Sequence, residues 1–235
     1  MVQDVLYNLC VGVIKEKLRL WLLSQEEWTN QLVLENIQDP FWRHVAYLGQ
    51  WLSGLYEGYN TTAKNDPSLS ARDWFEFRLL QATGSVADLI KHARQHYSRS
   101  SALIKLLPGF EEIFLGHCTW FRYESTARIF KTYDLNLEGT VARSISFSSY
   151  GGNLQSVDDF YLMGGQLAVL QTSNDIFNDT LYDLVKPQSL LTWQRVQAAN
   201  LLARGGQEWA GLVSRHSCRF NVSRIDPQNN GLVPD

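Results

Sequence analysis

The sequence lacks an excess of charge of either sign, a cysteine framework and a long apolar run. Its 21 Lys and Arg stand against 24 Asp and Glu, a net charge of −3, which excludes the basic surface of a nucleic-acid-binding protein. Three cysteines are too few for a disulfide scaffold, and their odd number leaves at least one unpaired within the chain. No stretch approaches the ~20 apolar residues of a membrane-spanning helix, so we expect no transmembrane span.

Leader and cofactor motifs are also missing. The first residues have no basic start, and Asp4 and Asn8 interrupt their apolar side chains, so the sequence shows no signal peptide. Neither a Gly-x-Ser-x-Gly elbow nor a glycine-rich phosphate loop occurs. His92 and His96 have the spacing of metal ligands on a helix, but no Glu follows His92, which favours a solvated helix end. We therefore expect neither a cofactor nor a metal.

What is present predicts a folded domain with an α+β organisation that changes near residue 99. The composition is 45% hydrophobic and 19% charged, with 8 Trp, 10 Tyr and 11 Phe for a large aromatic core or an apolar pocket. Apolar periodicity predicts helices over 11–34, over 41–59 after Asp39-Pro40, and from a capping box at Ser70 and Asp73 to Ile90. The residues after 99 predict a hairpin over 101–118, a helix over 119–132, and strands over 143–150 and 160–172 with a turn at Gly164-Gly165. A helical region over 174–215 and a disordered tail from about 224 follow. Two parts follow, a helical segment 1–99 and a strand-rich part 100–235.

The hairpin supports a prediction of register. A loop centred on Pro108-Gly109 places Lys105 opposite Glu112, an opposite-charge cross-strand pair. The same register places Ser100 opposite His117. Both faces of the hairpin are largely apolar, so we expect a layer over each face.

Ser100 and His117 are a candidate nucleophile and its polar partner, because a hydroxyl needs a nearby base to act. A polar pair at a strand end is the alternative. Cys118 points to the opposite face from His117, and a buried small apolar role is expected for it. Asp158-Asp159 precede a strand, where they either orient a base or form a turn. Three glycosylation sequons begin at Asn60, Asn178 and Asn221.

Several motifs in order resemble one family. They are Asp39-Pro-Phe-Trp42, Gly54-Leu-Tyr-x-Gly-Tyr59, Ser101-Ala-Leu-Ile-Lys-Leu-Leu-Pro-Gly-Phe110, His117 with Trp120, Phe147-Ser-Ser-Tyr150, Asp158-Asp-Phe-Tyr161 and Trp193-Gln-Arg-Val196. Together they resemble the phospholipase B-like family, the laminin-ancestor and lysosomal group, from about residue 39 to 209. Beside that family the chain looks truncated at both ends.

The resemblance implies an N-terminal-nucleophile hydrolase with a four-layer αββα sandwich, here incomplete. In such a protein the precursor cuts itself before the nucleophile, and the freed α-amino group then acts as the base. Here the family's cysteine nucleophile aligns with Ser100, the scissile bond with Arg99–Ser100, and the family's histidine with His117. By the same resemblance Asp158, Asp159, Thr172 and Ser173 line the site, and Asn221 lies in a faint remnant of an Asn-rich motif that supplies oxyanion donors.

The expected activity is therefore hydrolysis of acyl-ester or amide bonds of lipids, in a lysosomal or secreted glycoprotein. The sequence departs from the family pattern at the nucleophile, at the Gly-His that precedes it and in the Asn-rich motif. These departures keep an alternative open, a truncated non-catalytic relative that binds lipid or a protein partner. The sequence does not indicate an oligomeric state.

Overall fold

A computed structural model of the protein describes residues 13–82, 100–120, 123–164, 167–172, 179–217, 225–226 and 231–232. These residues form five α-helices: α1 (Val13–Glu35), α2 (Pro40–Asn65), α3 (Trp74–Gln81), α4 (Thr192–Leu202) and α5 (Gly206–Ser214). The strands are β1 (Ser100–Leu106), β2 (Ile113–Thr119), β3 (Ile129–Asp134), β4 (Ser144–Ser149), β5 (Phe160–Met163), β6 (Leu167–Leu170), β7 (Ile225–Asp226) and β8 (Gly231–Leu232). The expected α+β class is confirmed. None of the helices in the described ranges is long and apolar enough to cross a membrane.

Helix α2 begins as its sequence predicts. The Phe41 amide donates to Asp39 Oδ1 at 2.9 Å, and Pro40 takes the first helical position, where its missing N–H costs nothing. One face of the helix is buried in the core, through Phe41, Trp42, Val45, Leu48 and Leu52. The helix ends at Asn65, before the Asp66-Pro67 break.

Helix α3 begins later than the predicted capping box at Ser70. Its N-cap is Asp73, whose Oδ1 accepts from the Glu76 amide at 2.8 Å, while Glu76 Oε2 accepts from the Asp73 amide at 3.2 Å. The reciprocal pair is therefore Asp73 with Glu76, three residues further along than predicted. The predicted continuation to Ile90 lies outside the described residues from 83 onward.

The larger sheet is antiparallel in the order β3-β4-β5-β6, and its inner face carries Ile145, Phe147, Tyr161 and Met163. The strands predicted over 143–150 and 160–172 are confirmed. The helix predicted over 119–132 is wrong, since a 3₁₀ turn at Tyr123–Thr126 is followed by strand β3. Strand β3 is held by non-local pairing with β4, which a local periodicity does not report.

Helix α4 lies between two hydrophobic clusters. Ala198 belongs to the cluster that contains residues of α1, α2 and α3, whereas Leu201 belongs to the cluster on the inner face of the sheet. The helical region predicted over 174–215 is thus confirmed for α4 and α5, with a 3₁₀ segment at Asp179–Leu184 before them. Residues from both sides of position 99 share the helical cluster, and the domain boundary at 99 stays a prediction.

The hairpin β1-β2 forms with a register two residues from the predicted one. Ser100 pairs with Thr119 and Lys105 with Phe114, so the predicted Ser100–His117 and Lys105–Glu112 pairs are wrong. The reason is the turn: Gly109 has φ +79° and Phe110 φ +59°, and the Leu107 amide donates to the Glu112 carbonyl at 2.9 Å. The Phe110 amide donates to the Leu107 carbonyl at 3.1 Å, and Gly109, with φ +79° and ψ +3°, has the backbone angles of the third residue of a type II turn, which shifts the loop centre toward Phe110.

Apolar side chains on both hairpin faces are exposed. The larger ones are Leu103, Ile104, Leu106, Phe110, Ile113 and Phe114, of which Phe110 is 83% exposed. The layer expected over each face is therefore absent from the part of the chain that the structure describes. The four-layer αββα sandwich stays a prediction, as does the disorder of the tail, of which only β7 and β8 are described.

Candidate active site

Ser100 and His117 meet at one backbone oxygen. Ser100 Oγ donates to the Gln171 carbonyl at 3.3 Å, and His117 Nε2 lies 2.9 Å from the same oxygen. Ser100 opens β1 and is 7% exposed, His117 lies on β2, and Gln171 directly follows β6. The open end of the hairpin is thus joined to the edge of the larger sheet by these two side chains.

The register explains why they face the same side. Because Ser100 pairs with Thr119 and Ala102 with His117, Ser100 and His117 are diagonal neighbours two positions apart in pairing. Successive strand residues alternate between faces, so a shift of two residues keeps every side chain on its face. The predicted proximity of Ser100 and His117 therefore survives the error in register.

The Gln171 carbonyl also fixes the proton on the imidazole. A carbonyl oxygen only accepts, so the 2.9 Å contact makes Nε2 of His117 the donor nitrogen. The other ring nitrogen, Nδ1, lies 3.5 Å from Thr119 Oγ1. Through Nε2, His117 can orient and polarise an oxygen acceptor, but it cannot take a proton at that atom.

Asp158 is buried beside this pair and is held by three donors. Its Oδ2 accepts from Arg128 Nε at 2.9 Å and from the Ser148 hydroxyl, and its Oδ1 accepts from the Tyr150 hydroxyl at 3.0 Å. The Asp158 side chain is 5% exposed, whereas that of Arg128 is 38% exposed. The carboxylate is therefore part of a closed polar cluster rather than a free base.

The charge of Asp158 shifts the pKa of two neighbouring groups, Arg128 and Tyr150. Burial lowers the pKa of Arg128, but the hydrogen bond and charge of Asp158 outweigh it, and the net pKa shift is upward. Burial and the charge of Asp158 raise the pKa of Tyr150 to about 12. Both groups are consequently donors to Asp158 over the pH range in which a hydrolase works.

The remaining predicted site residues occupy different places. Asp159 has φ +56°, a left-handed conformation that Asp tolerates better than most residues, and its carbonyl accepts from the Gln171 amide at 3.1 Å. Asp158 and Asp159 thus form the predicted turn before β5. Thr172 directly follows Gln171 and is exposed. Ser173, Asn178 and Asn221 lie outside the described residues, as do His92 and His96.

Cys118 and Asn60 are two further residues with predicted roles. Cys118 is exposed, which corrects the buried role expected for it. It does face away from His117, as strand alternation requires. The Asn60 amide pairs with the backbone of Arg72, donating at 3.0 Å and accepting at 2.9 Å. Glycosylation at Asn60 stays a prediction.

The sequence reasoning missed several members of the site. Ser148 and Tyr150 belong to the Phe147-Ser-Ser-Tyr150 motif of the family resemblance, and their alternation at one strand end is the signal that could identify them. Arg128 fell inside the wrongly predicted helix. Gln171 contributes a backbone carbonyl, for which no side-chain signal exists.

Comparison with known proteins identifies the class. The sequence model of the phospholipase B family matches residues 2–223. Over 218 residues the chain is 39% identical to phospholipase B-like 1 of Rattus norvegicus. This match covers 87% of this chain and 40% of the rat protein. It is 38% identical over 219 residues to phospholipase B of Crotalus adamanteus, a match that covers 84% of this chain and 39% of the snake protein. It is 31% identical over 261 residues to phospholipase B-like protein B of Dictyostelium discoideum, a match that covers 100% of this chain and 45% of that relative.

The protein is thus of a phospholipase-type hydrolase family. More particularly, the chain belongs to the phospholipase B family, as its ordered motifs predict. It spans about two fifths of the length of the curated relatives that it matches.

Proposed function

We propose that this protein is a hydrolase of acyl-ester or amide bonds in lipids, activated by cleavage of its own Arg99–Ser100 bond. The observation that carries the proposal is the meeting of Ser100 Oγ and His117 Nε2 at the Gln171 carbonyl. It brings the candidate nucleophile, which is the first residue of β1, and its polar partner on β2 to one backbone atom. The names of the relatives support the lipid class of substrate.

The self-cleavage step uses Ser100 as an internal nucleophile. Its Oγ adds to the carbonyl carbon of Arg99, the Ser100 nitrogen leaves with a proton, and an ester replaces the peptide bond. Water then hydrolyses this ester. The products are a carboxylate on Arg99 and a free α-amino group on Ser100.

Turnover then depends on the new α-amino group. An α-amino group has a pKa of about 7.7–8.0, so a useful fraction is neutral near neutral pH and accepts the Ser100 hydroxyl proton. Ser100 Oγ attacks the acyl carbon, the alcohol or amine of the substrate leaves, and water releases the acid. His117 donates from Nε2 and orients the site. A lysosomal or secreted glycoprotein, with sequons at Asn60, Asn178 and Asn221, is the matching setting.

Intact-mass measurement of the purified protein tests the proposal. We expect two fragments split between Arg99 and Ser100, no cleavage in Ser100→Ala, and cleavage at least as fast in Ser100→Cys, because a thiol is the better nucleophile. Ser101→Ala is the matched control, since Ser101 is exposed and lies on the opposite face of β1. An uncut wild-type chain without activity on acyl esters or amides would overturn the proposal.

The exposed hairpin favours a second candidate, a non-catalytic lipid-binding relative. Its apolar side chains include Phe110 and Phe114, which are 83% and 52% exposed. This candidate predicts sedimentation with phosphatidylcholine vesicles that Ser100→Ala leaves unchanged and that Phe110→Ser with Phe114→Ser abolishes. Loss of vesicle binding in Ser100→Ala alone would count against it.

A further inference from the structure

We propose that Asp158 and Thr119 are positioning residues, which set the Gln171 carbonyl and the open end of the hairpin relative to each other. The effect on cleavage rate rests on the proposed function. The effect on the imidazole of His117 follows from the geometry alone, so the two are measured separately.

The first step is the anchoring of Asp158. Its carboxylate is held from Arg128, ahead of β3, and from Ser148 and Tyr150 at the end of β4. Hydrogen bonds to a charged, buried group are about twice as strong as neutral ones. Three of them from two segments fix the backbone at position 158 against the sheet.

The backbone carbonyls of Asp158 and Asp159 then accept hydrogen bonds from two other parts of the chain. The Asp158 carbonyl accepts from Thr119 Oγ1 at 3.1 Å, and the Asp159 carbonyl accepts from the Gln171 amide at 3.1 Å. One side of the turn therefore holds the end of β2, and the other holds the residue after β6. The left-handed conformation of Asp159 points the two successive carbonyls at these separate elements.

The turn at Asp158-Asp159 positions the groups that contact Ser100 and His117. Gln171, placed by its amide, presents its carbonyl to Ser100 and His117, while Thr119 holds the strand from which His117 projects. The Thr119 hydroxyl donates to the Asp158 carbonyl, and its oxygen lies 3.5 Å from Nδ1 of His117. Both nitrogens of the imidazole are thus next to groups that the turn positions.

Thr119→Val tests the link because it keeps the shape and removes the hydroxyl. We expect self-cleavage, followed by intact mass during cell-free synthesis, to slow about 10- to 100-fold, since a misplacement near 1 Å has effects of this size. Thr119→Ser, which keeps the hydroxyl, should restore the rate to within a few fold. Thr132→Val is the matched control, because Thr132 is an exposed strand threonine whose hydroxyl bonds to Ser146 on β4.

The ring-nitrogen NMR resonances of His117, assigned with His117→Gln in the 235-residue chain carrying Ser100→Ala, give the second readout. We expect Thr119→Val and Asp158→Asn to shift them, Tyr150→Phe to shift them less, and Thr119→Ser and Thr132→Val to leave them unchanged. Unchanged resonances in Thr119→Val, or a Thr119→Ser protein as slow as Thr119→Val, would overturn the positioning role. If the wild-type chain is never cut, the proposed function fails, and the NMR result alone decides this inference.

Discussion

Arg215 Nη2 donates to Asp39 Oδ2 at 2.5 Å, joining residues that are 176 positions apart. The same carboxylate caps α2 through the Phe41 amide, and the Arg215 guanidinium lies 4.2 Å from the centre of the Phe41 ring. The start of α2 and the end of α5 are therefore held by one acidic side chain.

Asp39→Ala should lower the free energy of unfolding by about 1–2 kcal/mol at pH 7, because an N-cap and an ion pair are lost together. Asp39→Asn should lose less, since Asn caps as well as Asp does. Urea unfolding monitored by tryptophan fluorescence measures both. An equal loss in the two variants would contradict the capping role.

The Asp39 pair also predicts a pH dependence. Burial raises the pKa of Asp39, but hydrogen bonds from Arg215 and Phe41 and the charge of Arg215 outweigh it, and the net pKa shift is downward. Its contribution to stability is thus fully present above the unfolded pKa of about 4 and is lost as the pH falls through the lower folded pKa. The stability difference between wild type and Asp39→Asn should shrink over that acidic window. A difference that stays constant from pH 6 to pH 2 would contradict this.

Glu26→Gln should destabilise the helical cluster by about 3 kcal/mol, since removing one partner leaves a buried charge uncompensated. Arg78 is 7% exposed, pairs with Glu26, and donates to Gln25 Oε1 at 2.6 Å. Burial lowers the pKa of Arg78, and the charge of Glu26 opposes that shift. Thermal unfolding gives the measurement. Glu27→Gln, one residue along and exposed, should stay within about 0.5 kcal/mol of wild type.

The hairpin register predicts which engineered cysteines form a bridge. Ile104 and Leu115 are direct partners, and the Leu107–Glu112 hydrogen bond places them at a non-hydrogen-bonded site, where the Cα atoms are about 4.5 Å apart. In a background without the three native cysteines, Ile104→Cys with Leu115→Cys should oxidise readily, as that spacing suits a disulfide. Ile104→Cys with Ile113→Cys, the pair from the sequence-based register, should stay reduced by mass spectrometry. The reverse result would favour the sequence-based register.

Asn60→Ala should cost about 1–3 kcal/mol even in unglycosylated protein, because both atoms of the Asn60 amide bond to the Arg72 backbone. Thr62→Ala removes the same sequon but keeps Asn60, and Thr62 is exposed on α2. Comparing the two by chemical denaturation separates the side chain from the glycan. Equal stability of both variants and wild type would show that the amide pairing is unimportant.

The helical part of this fold could be predicted because its signals are local. Asp39-Pro40 and the apolar stripe that follows specify the start and buried face of α2 within one segment of sequence. The hairpin register could not be predicted, since it depends on the left-handed conformation of Phe110, which its residue type does not suggest. Strand β3 was missed because only its partner strand β4 makes it a strand.

The candidate site also contains residues that the sequence predicts and residues that it does not. Ser100 and His117 were identified from a hairpin argument and a family resemblance, and both lie at the site. The sequence predicts the turn at Asp158-Asp159 as one of two alternatives. It does not predict the roles of Arg128 and Gln171, because these arise from contacts between segments 30 or more positions apart in sequence.

Helix α4 has a consequence for synthesis of the chain. It fills the space between the helical cluster and the sheet, yet it is made after both of them. The parts of these two clusters that α4 covers therefore stay exposed on the ribosome until about residue 202 has emerged. Nascent chains stopped before Thr192 should depend on chaperones for solubility, and those that present Leu202 should become resistant to protease in a single step.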